Sequence, residues 1–163
     1  MRDFQSEEMI NRHFGFTDGK AMIYTSLVRM YTQLEGFNTD VVGLYAFLRS
    51  WRNSKEGHEM YHAVWHSKEY MYAQSGIGRK AFNKRLQMLE KYGLVTVKKS
   101  DIIPNKDVIY VHDPLTRDQF VEKYPDIVEA FVKEALRIEA KNAEYRLSQY
   151  LNLEQKSEKG VDS

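Results

Sequence analysis

The stretch Gly76-Ile77-Gly78-Arg79-Lys80-Ala81-Phe82-Asn83-Lys84-Arg85-Leu86-Gln87-Met88-Leu89-Glu90-Lys91-Tyr92-Gly93-Leu94-Val95 decides the fold. Phe82, Leu86 and Leu89 recur at helical spacing and make one buried stripe, which leaves Arg79, Lys80, Asn83, Lys84 and Gln87 on the opposite face. Tyr92-Gly93 stops the helix, because glycine takes the left-handed conformation a C-cap often needs. Gly76-Ile77-Gly78 is too short for a phosphate loop and reads as a tight turn between helices. Before it, Ser67 is a good N-cap, with Glu69 in the first turn, for a short helix ending at Ser75-Gly76. After it, Leu94-Val95-Thr96-Val97-Lys98-Lys99 and Val108-Ile109-Tyr110-Val111 are alternating, β-branched runs. Pro104-Asn105 supplies the turn of a hairpin that Asp113-Pro114 ends.

Further out, Thr39 or Asp40 can cap a helix whose apolar face is Val41, Leu44, Tyr45, Leu48 and Trp51. Asn53-Ser54-Lys55-Glu56-Gly57 breaks it, and residues 60–65 read as a short strand. Residues 21–31 fit a strand or a short helix, and residues 14–20 a turn-rich lead-in. The resulting order of helix, strand, helix, turn, helix and hairpin predicts a mainly α protein with a small β part: a winged helix-turn-helix followed by a long carboxy-terminal helix.

In these residues the chain resembles winged-helix DNA-binding domains. The wider pattern is Leu44-Tyr45-Ala46-Phe47-Leu48-Arg49-Ser50-Trp51-Arg52-Asn53, then the basic helix, then Pro104-Asn105-Lys106 and Ile109-Tyr110-Val111. It resembles the amino-terminal domain of Gram-positive plasmid replication initiators and DnaD-type replication-organiser proteins over roughly residues 14–113. The resemblance implies a role on DNA in plasmid or phage replication or maintenance. Regulation of transcription is the neighbouring expectation.

The chemistry agrees with that reading. A helix fits the major groove with its first turns toward base edges. Arg79 can donate two parallel hydrogen bonds to guanine, and Asn83 or Gln87 can pair with adenine in the same way. Lys80 and Lys84 suit phosphates, as do Lys98, Lys99 and Lys106 on the wing and the start of the helix at Ser67. Double-stranded DNA is the expected partner, and the other use of such a domain is as an adaptor that contacts proteins of a replication or partition complex. Tyr61, Trp65, Tyr70 and Tyr72 are read as core, with a base-stacking platform as their other use.

Composition sets the bounds. With 42% hydrophobic and 13% aromatic residues the chain can build a core. The 24 basic and 23 acidic side chains nearly cancel, but Arg79, Lys80, Lys84, Arg85, Lys91, Lys98 and Lys99 are opposed only by Glu90 between positions 79 and 99. Such asymmetry fits one anion-facing surface. The absence of cysteine removes disulfides, thiolate metal sites and a cysteine nucleophile. No run approaches the ~18 apolar residues of a membrane span, and the polar first ten residues carry no secretion signal, so a cytoplasmic location on nucleoid or plasmid is expected.

One pattern competes. His58-Glu59-Met60-Tyr61-His62 matches the H-E-x-x-H motif of zinc peptidases, and His66 continues the spacing. On a helix His58 and His62 would bind zinc and leave Glu59 as base. The segment follows Gly57 and runs into Ala63-Val64-Trp65, which reads as strand, so no enzyme, metal or cofactor is expected.

Thr116 caps a short helix that Tyr124-Pro125 breaks, and a long helix is predicted from about Asp126 to about Tyr150. One stripe on it is Val128, Phe131, Ala135, Ile138, Asn142 and Tyr145, and an adjacent one is Val132, Leu136, Ala140, Ala143 and Leu147. Docking on its own domain needs only one stripe. The two together predict a homodimer, with Asn142 fixing register, against packing wholly within one chain. The chain divides, on this reading, into an extension packing on the core (residues 1–36), the winged helix (37–115), dimerisation helices (116–153) and a disordered tail (154–163).

Overall fold

Helices supply most of the structure. The computed structural model describes residues 6–15 and 19–161, so the lead-in expected at residues 14–20 lies partly outside the described residues, at 16–18. The chain divides after Thr116 into two compact units.

The first unit opens with helix α1 (Glu7–Phe14), where Ser6 Oγ accepts from the Met9 amide. Residues 21–31 become helical: α2 (Thr25–Arg29) is followed by a 3-10 turn (Tyr31–Gln33). Leu27, Tyr31, Leu34 and Phe37 of this segment are buried. The Ser26 hydroxyl donates to the Leu115 carbonyl at 2.7 Å, and the Tyr31 hydroxyl accepts from the Leu115 amide at 3.0 Å. The extension is thereby stitched to the far end of the domain.

Helix α3 (Thr39–Trp51) buries Val41, Leu44, Tyr45 and Leu48, four of the five residues of the predicted face. Its cap is Asn38, one residue ahead of the expected Thr39 or Asp40. The Asn38 backbone is extended, and its Oδ1 accepts from the amides of Asp40 and Val41. The Tyr45 hydroxyl donates to the His112 carbonyl at 2.8 Å, and burial pushes this phenol up to about 12.

The strand expected at residues 60–65 contracts to β1 (Ala63–Val64). His62 ahead of it sits in the left-handed region at φ 65°, and its amide donates to the Asn53 carbonyl, which closes a turn where a longer strand would run. Helices α4 (Lys68–Ser75) and α5 (Arg79–Lys91) then form the helix-turn-helix. Ser67 Oγ caps α4 by accepting from the Tyr70 amide, and Gly76 at φ 74° ends it. Phe82, Leu86 and Leu89 of α5 are buried as their spacing requires.

Strands β2 (Val95–Lys99) and β3 (Asp107–Val111) make the hairpin. The sheet is antiparallel in the order β1-β3-β2, with Val64 opposite Ile109 and Thr96 opposite Tyr110. Val64, Val95, Ile109 and Val111 turn to the core. The sequence α3, β1, α4, α5, β2, β3 is that of a winged helix-turn-helix.

The second unit holds α6 (Arg117–Lys123) and α7 (Pro125–Val161). Pro125 opens α7, where its missing amide hydrogen leaves no helical bond unmade. Helix α7 runs on past Tyr150 to Val161, through the stretch expected to be a disordered tail. The correction has a simple cause: residues 151–159 are mostly Leu, Glu, Gln and Lys, all strong helix formers, with no proline.

Candidate nucleic-acid interface

The exposed side of α5 is built by the burial of its other side. With Phe82 and Leu89 fully enclosed, Arg79, Lys80, Lys84 and Gln87 fall on the solvent face and Asn83 is half-buried at its edge. All five predicted reading residues line one shallow, open depression of about 560 Å³. Gly78 precedes the first turn without a capping side chain, so nothing from residue 78 crowds the approach to Arg79.

Asn83 is held in place. The Tyr72 hydroxyl on α4 donates to Asn83 Oδ1 at 3.2 Å, and the Tyr72 ring meets Phe82 edge-on. That oxygen keeps a second lone pair and the amide nitrogen stays available, so bidentate pairing with adenine remains chemically open. The sequence pattern alone makes Tyr72 a core residue. Its role in orienting Asn83 links two helices and leaves no mark in local spacing. Arg85, on the flank of α5, reaches Asp40 at 3.7 Å and ties α5 to the start of α3.

The wing lysines differ from one another. Lys98 is exposed and sits over the Tyr110 ring at 4.7 Å. Lys99 pairs with Asp107 at 3.1 Å, and Lys68 at the start of α4 approaches the same carboxylate at 3.7 Å. The Lys99 hydrogen bond holds the Asp107 carboxyl below the usual range. Lys106 lies over the Trp65 ring at 4.9 Å. Asp107 therefore offsets part of the basic charge counted on this hairpin, and among the described residues Lys98 and Lys106 are the wing cations with no acidic partner within ion-pair distance. Ser67, proposed from its position to face phosphate, spends its hydroxyl oxygen on the α4 cap.

The histidine motif takes no catalytic shape. Residues 58–62 form turns, not a helix, so His58, Glu59 and His62 share no helical face. His58 Nδ1 accepts from the Met60 amide at 3.0 Å, while His62 stacks on Tyr61 with centroids 3.8 Å apart. Burial, followed by the nearby Arg52 charge, lowers the His62 pKa. Among the described residues no three metal-ligating side chains cluster.

On α7, Phe131, Ile138, Asn142 and Tyr145 are exposed, and Val128 and Ala135 are half-buried. Val132, Leu136, Ala140, Ala143 and Leu147 of the second stripe are exposed as well. The ion pairs Glu129–Lys133 and Glu134–Arg137 lie along the same helix. No helix of the described residues is long and apolar enough to cross a membrane.

No protein-family model, curated protein or solved structure matches this chain.

Proposed function

We propose that this protein binds double-stranded DNA sequence-specifically and without catalysis, with α5 in the major groove and the hairpin against the flanking backbone. The observation that carries this is the gathering of Arg79, Lys80, Asn83, Lys84 and Gln87 on one open face of a helix whose opposite face is core. These residue types are the ones that read base edges and bind phosphates. Helix α7 pairs with the α7 of a second copy, so that two reading helices meet a two-fold symmetric site. The role that follows is plasmid or phage replication or maintenance, or transcriptional regulation, on nucleoid or plasmid DNA in the cytoplasm.

A second reading rests on the exposed apolar residues of α7: a winged-helix adaptor docking on replication or partition proteins without reading DNA. Fluorescence anisotropy with mixed genomic duplex fragments at two salt concentrations separates the two. Tight binding that weakens steeply with salt supports DNA binding, since each neutralised phosphate contributes a slope of about 0.9. Absence of binding at low salt sinks it and leaves the adaptor.

A further inference from the structure

Between β1 and α4 the chain exposes an aromatic side chain that the core does not use. Trp65 is 51% exposed. Its ring is the outer end of a ladder: it lies nearly parallel to His66 (12°, centroids 5.6 Å), and His66 stacks on Tyr70 (24°, 5.1 Å). Trp51 closes the side of the ladder, meeting His66 edge-on at 4.5 Å. The inner end is fixed by hydrogen bonds. The Tyr70 hydroxyl and Gln74 Nε2 both donate to the His13 carbonyl, and the Trp51 indole donates to Gln74 Oε1 at 2.7 Å. The ladder is therefore preorganised, and its outermost ring is the one most open to solvent, with His66, Tyr70 and Trp51 half-buried.

The cover on that ring is a cation. Lys106, on the hairpin, places its ammonium 4.9 Å from the Trp65 centroid. Lys68 and Lys99 stand beside Asp107, the next residue along, so this corner holds more positive than negative charge. A flat indole continuing a ring stack, with a movable lysine over it and further lysines beside it, matches what a nucleotide offers: a π face and a phosphate. Burial and the Lys106 charge lower the His66 pKa, so the second ring of the ladder is neutral at physiological pH.

We propose that Trp65 stacks on an unpaired nucleobase of a single nucleic-acid strand, with Lys106 swinging from the indole to that nucleotide's phosphate. This site stands apart from the reading face of α5, but its Lys106 belongs to the hairpin proposed to lie against the flanking backbone, and it rests on the reading that nucleic acid is the partner. Base stacking on an aromatic ring tolerates any sequence, because every base has a π face. The site thus adds strand capture to duplex reading, which suits a protein acting where a duplex opens.

The test uses the full chain with dye-labelled twelve-nucleotide dT and rU strands, and separately with a duplex. The Trp51→Phe variant keeps a ring against His66 and makes Trp65 the sole tryptophan emitter. We expect both strands to quench its emission on binding, with the tighter of dT and rU marking DNA or RNA as the natural strand. Trp65→Ala should weaken strand binding by roughly tenfold or more, Trp65→Phe should restore most of it, and duplex affinity should stay within about twofold. Lys106→Ala should weaken strand binding and reduce its salt dependence by about one unit of slope. The proposal is overturned if neither strand binds, if Trp65 emission is unmoved at saturation, or if Trp65→Ala binds strands as well as the parent. Strand binding without duplex binding would instead remove the duplex reading and leave this site standing. Far-UV circular dichroism and retained duplex affinity guard against misfolding of Trp65→Ala.

Discussion

Arg79 is exposed in the first turn of α5, where a guanidinium can fork onto guanine O6 and N7. Replacing it with alanine should cost about 1–3 kcal/mol of duplex affinity and relax preference at a single base pair, read by competition against single-base variants of the selected site. Asn83 behaves differently because Tyr72 orients it. Tyr72→Phe keeps the ring against Phe82 but frees the Asn83 amide, so discrimination at the base pair facing Asn83 should fall while overall affinity changes little. Lysines on the wing should separate by partner. Lys98→Ala should lower affinity for all sequences alike and flatten the salt slope by about one. Lys99→Ala should do less, since Lys99 already neutralises Asp107. His66 adds a pH term. Its folded pKa lies below the ordinary value of 6.5, so the unfolded chain binds its proton first. Stability from this group is complete above pH 6.5 and is lost as pH falls below that value toward the folded pKa. Thermal melts between pH 7.5 and 5 should show the decline, and His66→Phe, which keeps a ring in the stack, should flatten it.

Elements in this chain are punctuated by single residues whose geometry can be tested one at a time. Gly76 and Gly93 both sit at φ 74°, at the ends of α4 and α5, with open space around them. A Cβ there meets no neighbour, so the strain of Gly93→Ala is purely that of the left-handed backbone, about 1–2 kcal/mol by denaturant unfolding. Ser67→Ala should remove the α4 cap for about 1 kcal/mol. That loss reads as stability, whereas a role of Ser67 at phosphate would appear as a change in DNA affinity at equal folded fraction. The turn before β1 is built another way. Asn53 Oδ1 accepts from the Lys55 amide and the Asn53 backbone pairs on both sides with residues 62 and 63, so a side chain and its main chain together hold the bend. Local pattern favoured a strand across residues 60–65, because aromatic and β-branched residues dominate there. Pairing decided otherwise: only Ala63 and Val64 enter the ladder with β3, and the His62 carbonyl, accepting from the Val111 amide, marks its end.

At the scale of the whole molecule, α7 carries exposed apolar residues along its length. Its exposed apolar residues include Leu136, Ile138, Tyr145 and Leu147, spread over a wider arc than a single docking stripe. A double substitution, Leu136→Glu with Ile138→Glu, should convert a dimer to a monomer in sedimentation equilibrium. It should also reduce a two-fold footprint on DNA to a half-site. If the parent protein is monomeric at high micromolar concentration, self-pairing of α7 is wrong, and the exposed residues await a different protein. Deep in the first unit, Arg52 illustrates a separate whole-fold constraint. Its side chain is 5% exposed, donates to the Val111 carbonyl and pairs with Asp113 at 2.8 Å. Burial pulls the Asp113 carboxyl upward, but the Arg52 hydrogen bond and charge outweigh it, so the net shift is downward. Asp113→Asn should therefore destabilise at neutral pH and matter little once the carboxyl is protonated in acid.

Local pattern determined the helices α3 and α5 and the strands of the hairpin by periodicity, α4 by its cap and stop, and the division of α5 into a core face and a charged face. A 3.6-residue repeat and a two-residue repeat each commit a segment to one geometry, and Ser67, Gly76 and Gly93 mark the ends by their backbone preferences. The charge concentrated between positions 79 and 99 was legible for the same reason. What the sequence could not decide is who touches whom across elements. Asp107 neutralising Lys99, Tyr72 holding Asn83, Lys106 covering Trp65 and Asn53 shortening β1 are contacts between residues 8 to 41 positions apart in the chain. They exist only once burial of the apolar faces has brought those segments together, and hydrophobic burial is non-directional, so no local pattern encodes its side-chain pairings.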